Sequence, residues 1–365
     1  MFIKKLQLFN FKNHTEQLFD FSPEINCFVG NNGAGKTNIL DALHYISMAK
    51  SFLGNSDFQN IYTTSTQPES ADFFSIEAEI DGDEKTDIIK ILLPKEGKKI
   101  IKKNDKSYDR IADHIGFLPS VMISPYDANL ISDASESRRK FLDAMISQTD
   151  SAYLFALMQY QKTLQQRNAL LKYFQKNRTF DAENLEIYNE PLSKFGSQIF
   201  EKRHHFVASI LPTIQEFYEI ISNGNEKVRV IYESDLQQAN SEQLLLENIE
   251  RDRQLTYTSK GIHKDDLLFE MNGNSLKKFG SQGQQKSFLI ALKLAQMNRI
   301  KELTGKTPIL LLDDIFDKLD DHRVAQLIEL VNEQNFGQIF ITDTHKERTE
   351  SVVKRINEES KIFEI

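Results

Sequence analysis

The stretch GNNGAGKTN, residues 30 to 38, decides how the rest of this sequence is interpreted. Four of its residues satisfy the pattern GxxxxGK[ST], namely Gly30, Gly35, Lys36 and Thr37. The alternating segment before the loop ends in NCFV, which indicates a strand, and apolar side chains recur at helical spacing over residues 37 to 52. Strand, loop and helix in this order place backbone N–H groups and the positive end of a helix around an anion. The loop is therefore predicted to hold the phosphates of a nucleotide.

The side chains and the backbone of this loop have separate predicted roles. Lys36 is predicted to reach the terminal phosphates and to take part in catalysis, and Thr37 is predicted to ligate Mg²⁺. Nucleotide contacts are predicted for the whole loop, that is for Gly30, Asn31, Asn32, Gly33, Ala34, Gly35, Lys36, Thr37 and Asn38. The alternative is a flexible glycine loop that ends in a lysine by chance, and a second motif downstream argues against it.

That second motif is PILLLDD, residues 308 to 314. Its apolar run, Ile309 to Leu312, predicts a buried strand, and Asp313 follows at the carboxyl end of that strand. Asp313 is predicted to hold Mg²⁺, and Asp314 is the predicted general base for the attacking water. Two acids at a strand end otherwise often cap a helix, but the phosphate loop favours the catalytic interpretation.

Composition narrows the class of protein. With 365 residues, 40% of them hydrophobic, the chain has enough material for two or three domains. Its single cysteine, Cys27, allows no intrachain disulfide and fits a reducing compartment, so a cytoplasmic location is expected. No apolar run approaches the roughly 18 residues that are needed to cross a bilayer, and no membrane partner is expected.

The predicted elements divide the chain into three parts. Residues 1–131 are predicted to form an N-terminal lobe with strands at 2–11 and 18–29 and antiparallel strands from 73 to 101. Residues 132–255 are predicted to form a helical insertion domain. Residues 256–365 are predicted to form a C-terminal lobe in which helices alternate with strands, as in a mainly parallel sheet. The fold class is therefore α/β, with a mixed sheet and flanking helices.

The helical insertion has a simple predicted layout. Residues 153 to 176 are predicted to form one helix of about 25 residues, roughly 37 Å long. The segment from 192 to 221 is predicted to return antiparallel to it. Breaks are predicted near residues 177 to 181 and at Pro191 and Pro212, because proline removes a helical hydrogen bond.

Basic residues suggest a second ligand. The net charge of −8 argues against nucleic acid only weakly, because local patches determine binding. Between residues 95 and 110, seven basic residues accompany three acidic ones. This segment fits either a solvated hairpin that turns near Asn104 or a surface that faces DNA. Sequence-indifferent contacts to DNA phosphates are predicted for Lys98, Lys99, Lys102, Lys103, Arg138, Arg139 and Arg167, with ordinary solvated surfaces as the alternative.

The stretch FGSQGQQKS, residues 279 to 287, leads into a predicted helix. A Ser-x-Gly-Gln sequence at a helix N-terminus can donate several N–H groups and a hydroxyl to an anion, and a capped helix is the alternative. The order of phosphate loop, long insertion, SxGQ, ILLLDD and then DKLD at 317 to 320 resembles the ABC ATPase superfamily. In that superfamily two heads enclose ATP, and the signature serine of one head meets the γ-phosphate held by the other.

Several longer stretches narrow the resemblance to the RecF family of bacterial recombinational repair proteins, which are related to the SMC heads. They are LQLFNFKNH, NGAGKTNILDALHYIS, SPYDANLISDASESRRKFLD, QRNALLK, GIHKDDLLFEMNG, GSQGQQKSFLIALKLAQ and LLLDDIFDKLD, and together they span nearly the whole chain. The resemblance implies an ABC-type ATPase head with an antiparallel β subdomain and a helical insertion. For individual residues it implies contacts in trans from Ser281, Gly283 and Gln284 and a D-loop role for Asp320.

The same resemblance implies a function. Members bind ATP with Mg²⁺ together with single- or double-stranded DNA, form an ATP-dependent homodimer and hydrolyse ATP slowly. They work with RecO and RecR to load recombinase at single-strand gaps. An aspartate at position 314 is one methylene shorter than the glutamate of fast ABC motors, which favours slow hydrolysis. The resemblance further implies that this weak ATPase is stimulated by DNA.

The sequence also departs from related proteins. Gly280 and Gln282 stand where transporter ATPases have a leucine and a second glycine, and no glutamine stands in the region of the switch loop, near residues 124 to 127. His345 is either a γ-phosphate sensor or a surface residue. The acids of GIHKDD, residues 261 to 266, either contact a phosphate-bound cation or cap a strand turn, and His263 is predicted to be structural. The competing functions are an ATPase subunit of a transporter and another P-loop nucleotide enzyme.

Overall fold

The computed structural model describes residues 1–54, 56–63, 71–82, 85–222, 224, 226–314, 330, 337–356 and 359–365. Contacts divide the chain into two compact units. The first comprises residues 1–127 and 292–365, and the second comprises residues 128–291. The domain division predicted at residues 131 and 255 stays a prediction. Residues 256–291 lie in the second unit, where they supply two strands of its sheet.

The described chain contains the following strands, in chain order: β1 (Phe2–Phe11), β2 (His14–Asp20), β3 (Ile25–Val29), β4 (Phe73–Asp81), β5 (Thr86–Pro94), β6 (Ile100–Lys103), β7 (Lys106–Ser107), β8 (Ser120–Ile123), β9 (Val228–Glu233), β10 (Asp266–Met271), β11 (Asn274–Ser275), β12 (Ile309–Leu312), β13 (Ile339–Asp343) and β14 (Lys361–Glu364). The α-helices are α1 (Lys36–Met48), α2 (Asn129–Ser132), α3 (Ser135–Ser147), α4 (Ser151–Asn177), α5 (Ala182–Ser222), α6 (Ser241–Glu247), α7 (Ile249–Leu255), α8 (Leu276–Phe279), α9 (Gln282–Thr304) and α10 (Lys346–Ile356).

A five-stranded sheet in the order β14-β3-β13-β12-β8 organises the first unit, and all of its pairs are parallel. Strands β3, β8, β12 and β13 are buried along their whole length, as expected for parallel strands covered on both faces. Leu312 pairs with Ile341, and Asp343 pairs with Val29. The ends of β3, β12 and β13 therefore meet at one edge of the sheet. The predicted parallel sheet is confirmed.

A second sheet, β2-β1-β4-β5-β6-β7, is antiparallel, as predicted for this lobe. Helix α1 contacts strands of both sheets, and the core forms around it. Representative fully buried members of this core are Leu6, Leu8, Phe11, Leu40, Tyr45, Phe74, Ile91 and Phe340.

The single strand predicted over residues 18–29 is wrong, because the chain turns between β2 and β3. The side chain of Asn26 holds this turn by accepting from the backbone N–H of Ser22 and donating to its carbonyl, both at 2.8 Å. An asparagine that bonds to nearby backbone in this way offers the chain an alternative to continuous strand pairing.

Two long helices dominate the second unit. Helix α4 spans 27 residues, where one helix of about 25 residues was predicted, and α5 spans 41. Ion pairing between Asp150 and Lys202, and a hydrogen bond between Arg167 and Asn189, show that they pack antiparallel, as predicted.

The helix breaks predicted at Pro191 and Pro212 are wrong, since α5 continues through both prolines. Buried residues flank each proline, namely Asn189, Leu192, Ile210 and Ile214. Tertiary packing on both sides therefore compensates for the hydrogen bond that each proline removes.

A three-stranded sheet, β11-β10-β9, completes the second unit. The turn between β10 and β11 is formed by Asn272 and Gly273, whose φ angles of 49° and 75° suit a tight hairpin. In the parts of the chain that the structure describes, no helix is both long enough and apolar enough to cross a membrane.

Candidate nucleotide-binding site

The phosphate loop connects the end of β3 at Val29 to the start of α1 at Lys36. Gly33 and Gly35 adopt φ angles of 85° and 110°, which favour glycine. A Cβ atom on Gly35 would lie 2.4 Å from Nδ2 of Asn13, so this position has no room for a side chain. The predicted strand, loop and helix are confirmed.

The turn between β1 and β2 supports the loop from behind. Asn13 donates from Nδ2 to the carbonyl of Ala34 at 3.1 Å, and His14 donates from Nε2 to the carbonyl of Gly35 at 3.2 Å. In a trans peptide the C=O and N–H groups point in opposite directions. Holding these carbonyls outward therefore turns the N–H groups of Gly35 and Lys36 toward the other side of the loop, where phosphates would bind. Burial lowers the pKa of His14, which favours the neutral ring.

The Asn13–His14 support was not predicted. The sequence signal was the polar pair Asn13–His14 shortly after the alternating strand β1, but nothing local connected it with residues some twenty positions later.

Lys36 and Thr37 lie in the first turn of α1. Lys36 is 5% exposed, and its ammonium donates to the carbonyls of Gly30 and Asn31 at 2.8 and 3.0 Å. Thr37 donates from Oγ1 to Oδ1 of Asp313 at 2.8 Å. The two motifs that the sequence analysis paired, separated by 276 residues, are thus in direct contact.

Asp313 follows β12 and is 3% exposed. Burial raises its pKa, while hydrogen bonds from Thr37 and Thr342 act in the opposite direction. A threonine hydroxyl beside a carboxylate provides the hard oxygen ligands that Mg²⁺ prefers. These residues therefore fit a Mg²⁺ ion bound with a nucleotide. Asp314 comes next along the chain and is half-buried.

The segment after β8 lies in the region where related ATPases carry a glutamine. Here Asp127 accepts from the backbone N–H of Ser124 at 2.8 Å and pairs with Lys293 at 2.7 Å. The ammonium of Lys293 also donates to the carbonyl of Met122. An internal ion pair thus holds this segment in place. His345 is exposed at the start of α10, and the two alternatives, γ-phosphate sensor or surface residue, both stay open.

The signature segment belongs to the second unit. Ser281 accepts from the N–H of Gln284 at 3.2 Å, and the side chain of Gln284 accepts from the N–H of Ser281 at 2.9 Å. This reciprocal arrangement is a capping box at the N-terminus of α9, and Ser281 is exposed. Within one chain the segment is therefore a capped helix, and its contact in trans remains a prediction. Asp320 lies outside the described residues.

Two of the arginines that were predicted to contact DNA are buried instead, so those predictions are wrong. Arg167 is 0% exposed and pairs with Asp252 at 2.7 Å. Arg138 is buried in an ion pair with Asp266 at 2.6 Å. The prediction treated these cations as part of solvated helix faces, but both guanidinium groups are used inside the second unit. Neither is available to a DNA phosphate.

The lysines of the hairpin differ among themselves. The side chain of Lys99 is 9% exposed and pairs with Asp57 at 2.6 Å, so it also has an internal role. Lys103 pairs with Asp87 at 3.0 Å. Lys98 is exposed and Lys102 half-exposed, and both stay candidates for DNA contacts.

Arg139 is half-buried and donates to the Ser135 hydroxyl and to the Asp265 carbonyl at 2.6 and 2.7 Å. Strand β6 pairs with β7, so the segment does turn near Asn104, and its contact with DNA stays a prediction.

The acids of GIHKDD have a structural role that the sequence analysis missed. Asp265 pairs with Arg203 at 2.8 Å, and Asp266 pairs with Arg138. His263 is hydrogen-bonded to the hydroxyl of Tyr160 and to the carbonyl of Thr258, and burial lowers its pKa to about 4. Its predicted structural role is confirmed. Across the described residues, no group of three or more His, Cys, Asp or Glu side chains could hold a metal ion.

The fold and the site together define an ABC-type P-loop ATPase head that carries a helical insertion. Residues 2–363 match the family model of the RecF/RecN/SMC N-terminal domain. The chain belongs to this family and, within it, to the RecF proteins.

Individual relatives agree with this assignment. The chain is 53% identical to the DNA replication and repair protein RecF of Flavobacterium johnsoniae, with full coverage of both chains. It is 44% identical to the protein of the same name from Phocaeicola vulgatus, covering 100% of this chain and 96% of that protein.

Solved structures give the same result. The structure of the recombination mediator protein RecF-ATPrS in the RecFOR pathway is 29% identical to this chain, with a TM-score of 0.87 over 100% of this chain and 96% of the other. An Smc head bound to the C-winged helix domain of ScpA, 16% identical with a TM-score of 0.56 over 96% of this chain and 91% of that one, shares the fold alone.

Proposed function

We propose that this chain is an ATP-dependent DNA-binding protein of replication and recombinational repair, in which ATP joins two copies around DNA. The contact between Thr37 and Asp313 carries the ATPase part of this proposal, since it joins the loop that holds phosphates to the acid that holds Mg²⁺. The names of the relatives support the role in DNA replication and repair. The RecF structures with ATP and ATPrS support the proposal that ATP is the nucleotide bound by this chain.

The chemistry follows from the residues of the site. Mg²⁺ bound with ATP would be held by Thr37 and Asp313 and would neutralise charge on the phosphates. Lys36 would leave the loop carbonyls and donate to the terminal phosphates. Asp314 would accept a proton from the attacking water, and its short side chain favours slow hydrolysis.

The signature segment supports the dimer. The capping box leaves Ser281 exposed at the first turn of a 23-residue helix, where N–H groups and the helix dipole favour an anion. In the proposed dimer Ser281, with Gly283 and Gln284, meets the γ-phosphate bound to the second copy. One chain alone is then an incomplete ATPase.

DNA would bind through phosphate contacts. Lys98 and Lys102 are the predicted cations that remain accessible on the hairpin. Binding is then sequence-indifferent to single- and double-stranded DNA, falls steeply with salt and stimulates ATP turnover. Cooperation with RecO and RecR at single-strand gaps, to load recombinase, completes the proposal.

Replacing Ser281 with arginine tests the dimer. The bulky cation would meet the second copy, so we expect the ATP-dependent increase in sedimentation coefficient to disappear while one chain binds ATP with nearly unchanged affinity. The measurement is sedimentation with and without ATP and gapped DNA. Ser151→Arg, at an exposed position in the first turn of α4, is the matched control and should sediment like the wild type. ATP-dependent dimers of Ser281→Arg would overturn the trans contact.

Replacing Asp314 with asparagine tests the general base. The amide cannot accept the proton of the attacking water, so we expect turnover to fall by about 10²- to 10⁴-fold while ATP binding persists. The dimer should then accumulate and outlast the wild-type dimer after unbound ATP is removed. A variant that stays monomeric at saturating ATP would contradict the proposal.

A further inference from the structure

Thr342 is a buried polar residue near the end of β13 that has been given no part in the chemistry so far. Its side chain is 0% exposed. Its hydroxyl donates to Oδ1 of Asp313 at 2.9 Å and accepts from the backbone N–H of Asp314 at 2.9 Å. One side chain therefore contacts both of the acids to which the proposed function assigns chemistry.

The hydroxyl has hydrogen-bonding capacity for both contacts at once. A threonine hydroxyl carries one proton and two acceptor lone pairs, so the bond to Asp313 uses the proton and the bond from Asp314 uses a lone pair. The proton is thus directed at the carboxylate, and the side chain is fixed by its β-branch within the strand. The carboxylate oxygen concerned also accepts from Thr37.

Asp314 adopts a backbone conformation that needs such support. Its φ angle of 47° lies in the left-handed region, which is uncommon for residues other than glycine. This φ angle determines the direction in which the side chain of Asp314 points from the backbone just after β12. The hydrogen bond from the N–H of Asp314 to Thr342 fixes this backbone conformation relative to the neighbouring strand, β13.

Packing alone does not account for a threonine here. The preceding residues of β13, Ile339, Phe340 and Ile341, are apolar and buried, and valine would fill almost the same volume at position 342. A buried hydroxyl is unfavourable unless it is hydrogen-bonded. Its two bonds to the acid pair are therefore the property that distinguishes threonine from valine.

We propose that Thr342 is a positioning residue that sets the carboxylate of Asp313 for Mg²⁺ and the backbone of Asp314 for its action on water. The inference rests on the proposed function for the roles of the two acids. It does not depend on the dimer or on DNA.

The test compares Thr342→Val, which removes the hydroxyl at almost constant volume, with Thr342→Ser, which keeps it. Loss of a group that orients a metal ligand typically lowers metal affinity or activity by about 10- to 100-fold. We expect the valine variant to need about 10- to 100-fold more Mg²⁺ for half-maximal binding of a fluorescent ATP analogue. Its affinity for that analogue in EDTA should stay within about twofold of wild type, and its kcat should fall over the same range.

The serine variant should restore both the Mg²⁺ dependence and kcat to within about threefold of wild type. Thr349→Val is the matched control, since Thr349 is equally buried and donates to Asp343, a carboxylate outside the acid pair, at 2.7 Å. It should keep the wild-type Mg²⁺ dependence.

Binding is measured at protein concentrations below those that dimerise. The Mg²⁺ dependence of binding would therefore still test the role of Thr342 if the dimer proposal failed. A valine variant with wild-type Mg²⁺ dependence and kcat would overturn the inference. So would a serine variant as impaired as the valine variant, because the methyl group and not the hydroxyl would then be the essential part.

Discussion

Replacing Lys36 with alanine is expected to lower ATP turnover by at least about 10²- to 10³-fold, the effect of removing one preorganised donor to developing charge. Lys36 is a buried residue, and its ammonium donates to the carbonyls of Gly30 and Asn31 within the phosphate loop. A bound triphosphate offers anionic oxygens, which are stronger acceptors than neutral carbonyls. The lysine therefore gains most when nucleotide binds. Binding of a fluorescent ATP analogue and phosphate release are the measurements.

Stability provides the control for this variant. The partners of Lys36 in the loop are neutral carbonyls, so its removal should change the thermal unfolding midpoint little. Lys90→Ala, which removes an exposed cation paired with Glu77, should keep both turnover and nucleotide affinity. A Lys36→Ala protein that is folded and turns over ATP at the wild-type rate would contradict the role of the phosphate loop.

The site could be predicted because its chemistry fixes residue types at short spacing. Phosphate binding requires glycines, a lysine and a threonine between a strand and a helix, and PILLLDD contains a whole buried strand followed by its acids. The residues that hold the site in place through hydrogen bonds were not predicted. Thr342 and the pair Asn13–His14 act across strands, and polar residues near strand ends are too common to indicate their partners.

The buried arginines were missed although the sequence contained a signal. Buried residues on α4 recur at helical spacing, and Arg167 falls between Thr163 and Leu171 on this stripe. An arginine that replaces an apolar residue on such a stripe indicates an internal ion pair. Its partner, Asp252, lies 85 residues later and could not be identified from periodicity.

At the prolines of α5 the prediction failed because a local signal was given too much weight. A local rule predicted breaks at Pro191 and Pro212, but long-range packing of α5 against α4 and β9 outweighs the local cost.

Replacing Arg203 with methionine is expected to lower the free energy of unfolding by about 3–5 kcal/mol, the usual cost of removing one partner of a buried ion pair. Arg203 is buried and pairs with Asp143 and Asp265, both at 2.8 Å. It also donates to the carbonyl of Ile262. Methionine replaces the stem of the arginine side chain but not its guanidinium group, so two carboxylates are left without their cation. Urea unfolding followed by circular dichroism measures the loss.

An exposed ion pair provides the comparison for this variant. Arg253 pairs with Glu250 at 2.7 Å, and the side chain of Glu250 is 75% exposed. Such pairs contribute about 0–1 kcal/mol, so Arg253→Met should unfold close to the wild-type urea midpoint. A similar loss of stability in both variants would mean that burial of the Arg203 network is not the cause.

The pH dependence of the Arg203 variant has a definite sign. Burial raises the pKa of Asp265 in the folded protein, and Arg203 acts in the opposite direction. Without the arginine the folded pKa rises further, so the folded state takes up a proton that the unfolded state, near 3.8, has released. The variant therefore loses stability as pH rises from the pKa of Asp265 in the unfolded chain toward its higher pKa in the folded protein. At low pH Asp265 is protonated, and no unpaired charge is buried. The destabilisation should therefore be smaller at pH 5 than at pH 8, and the reverse order would exclude Asp265 as its source.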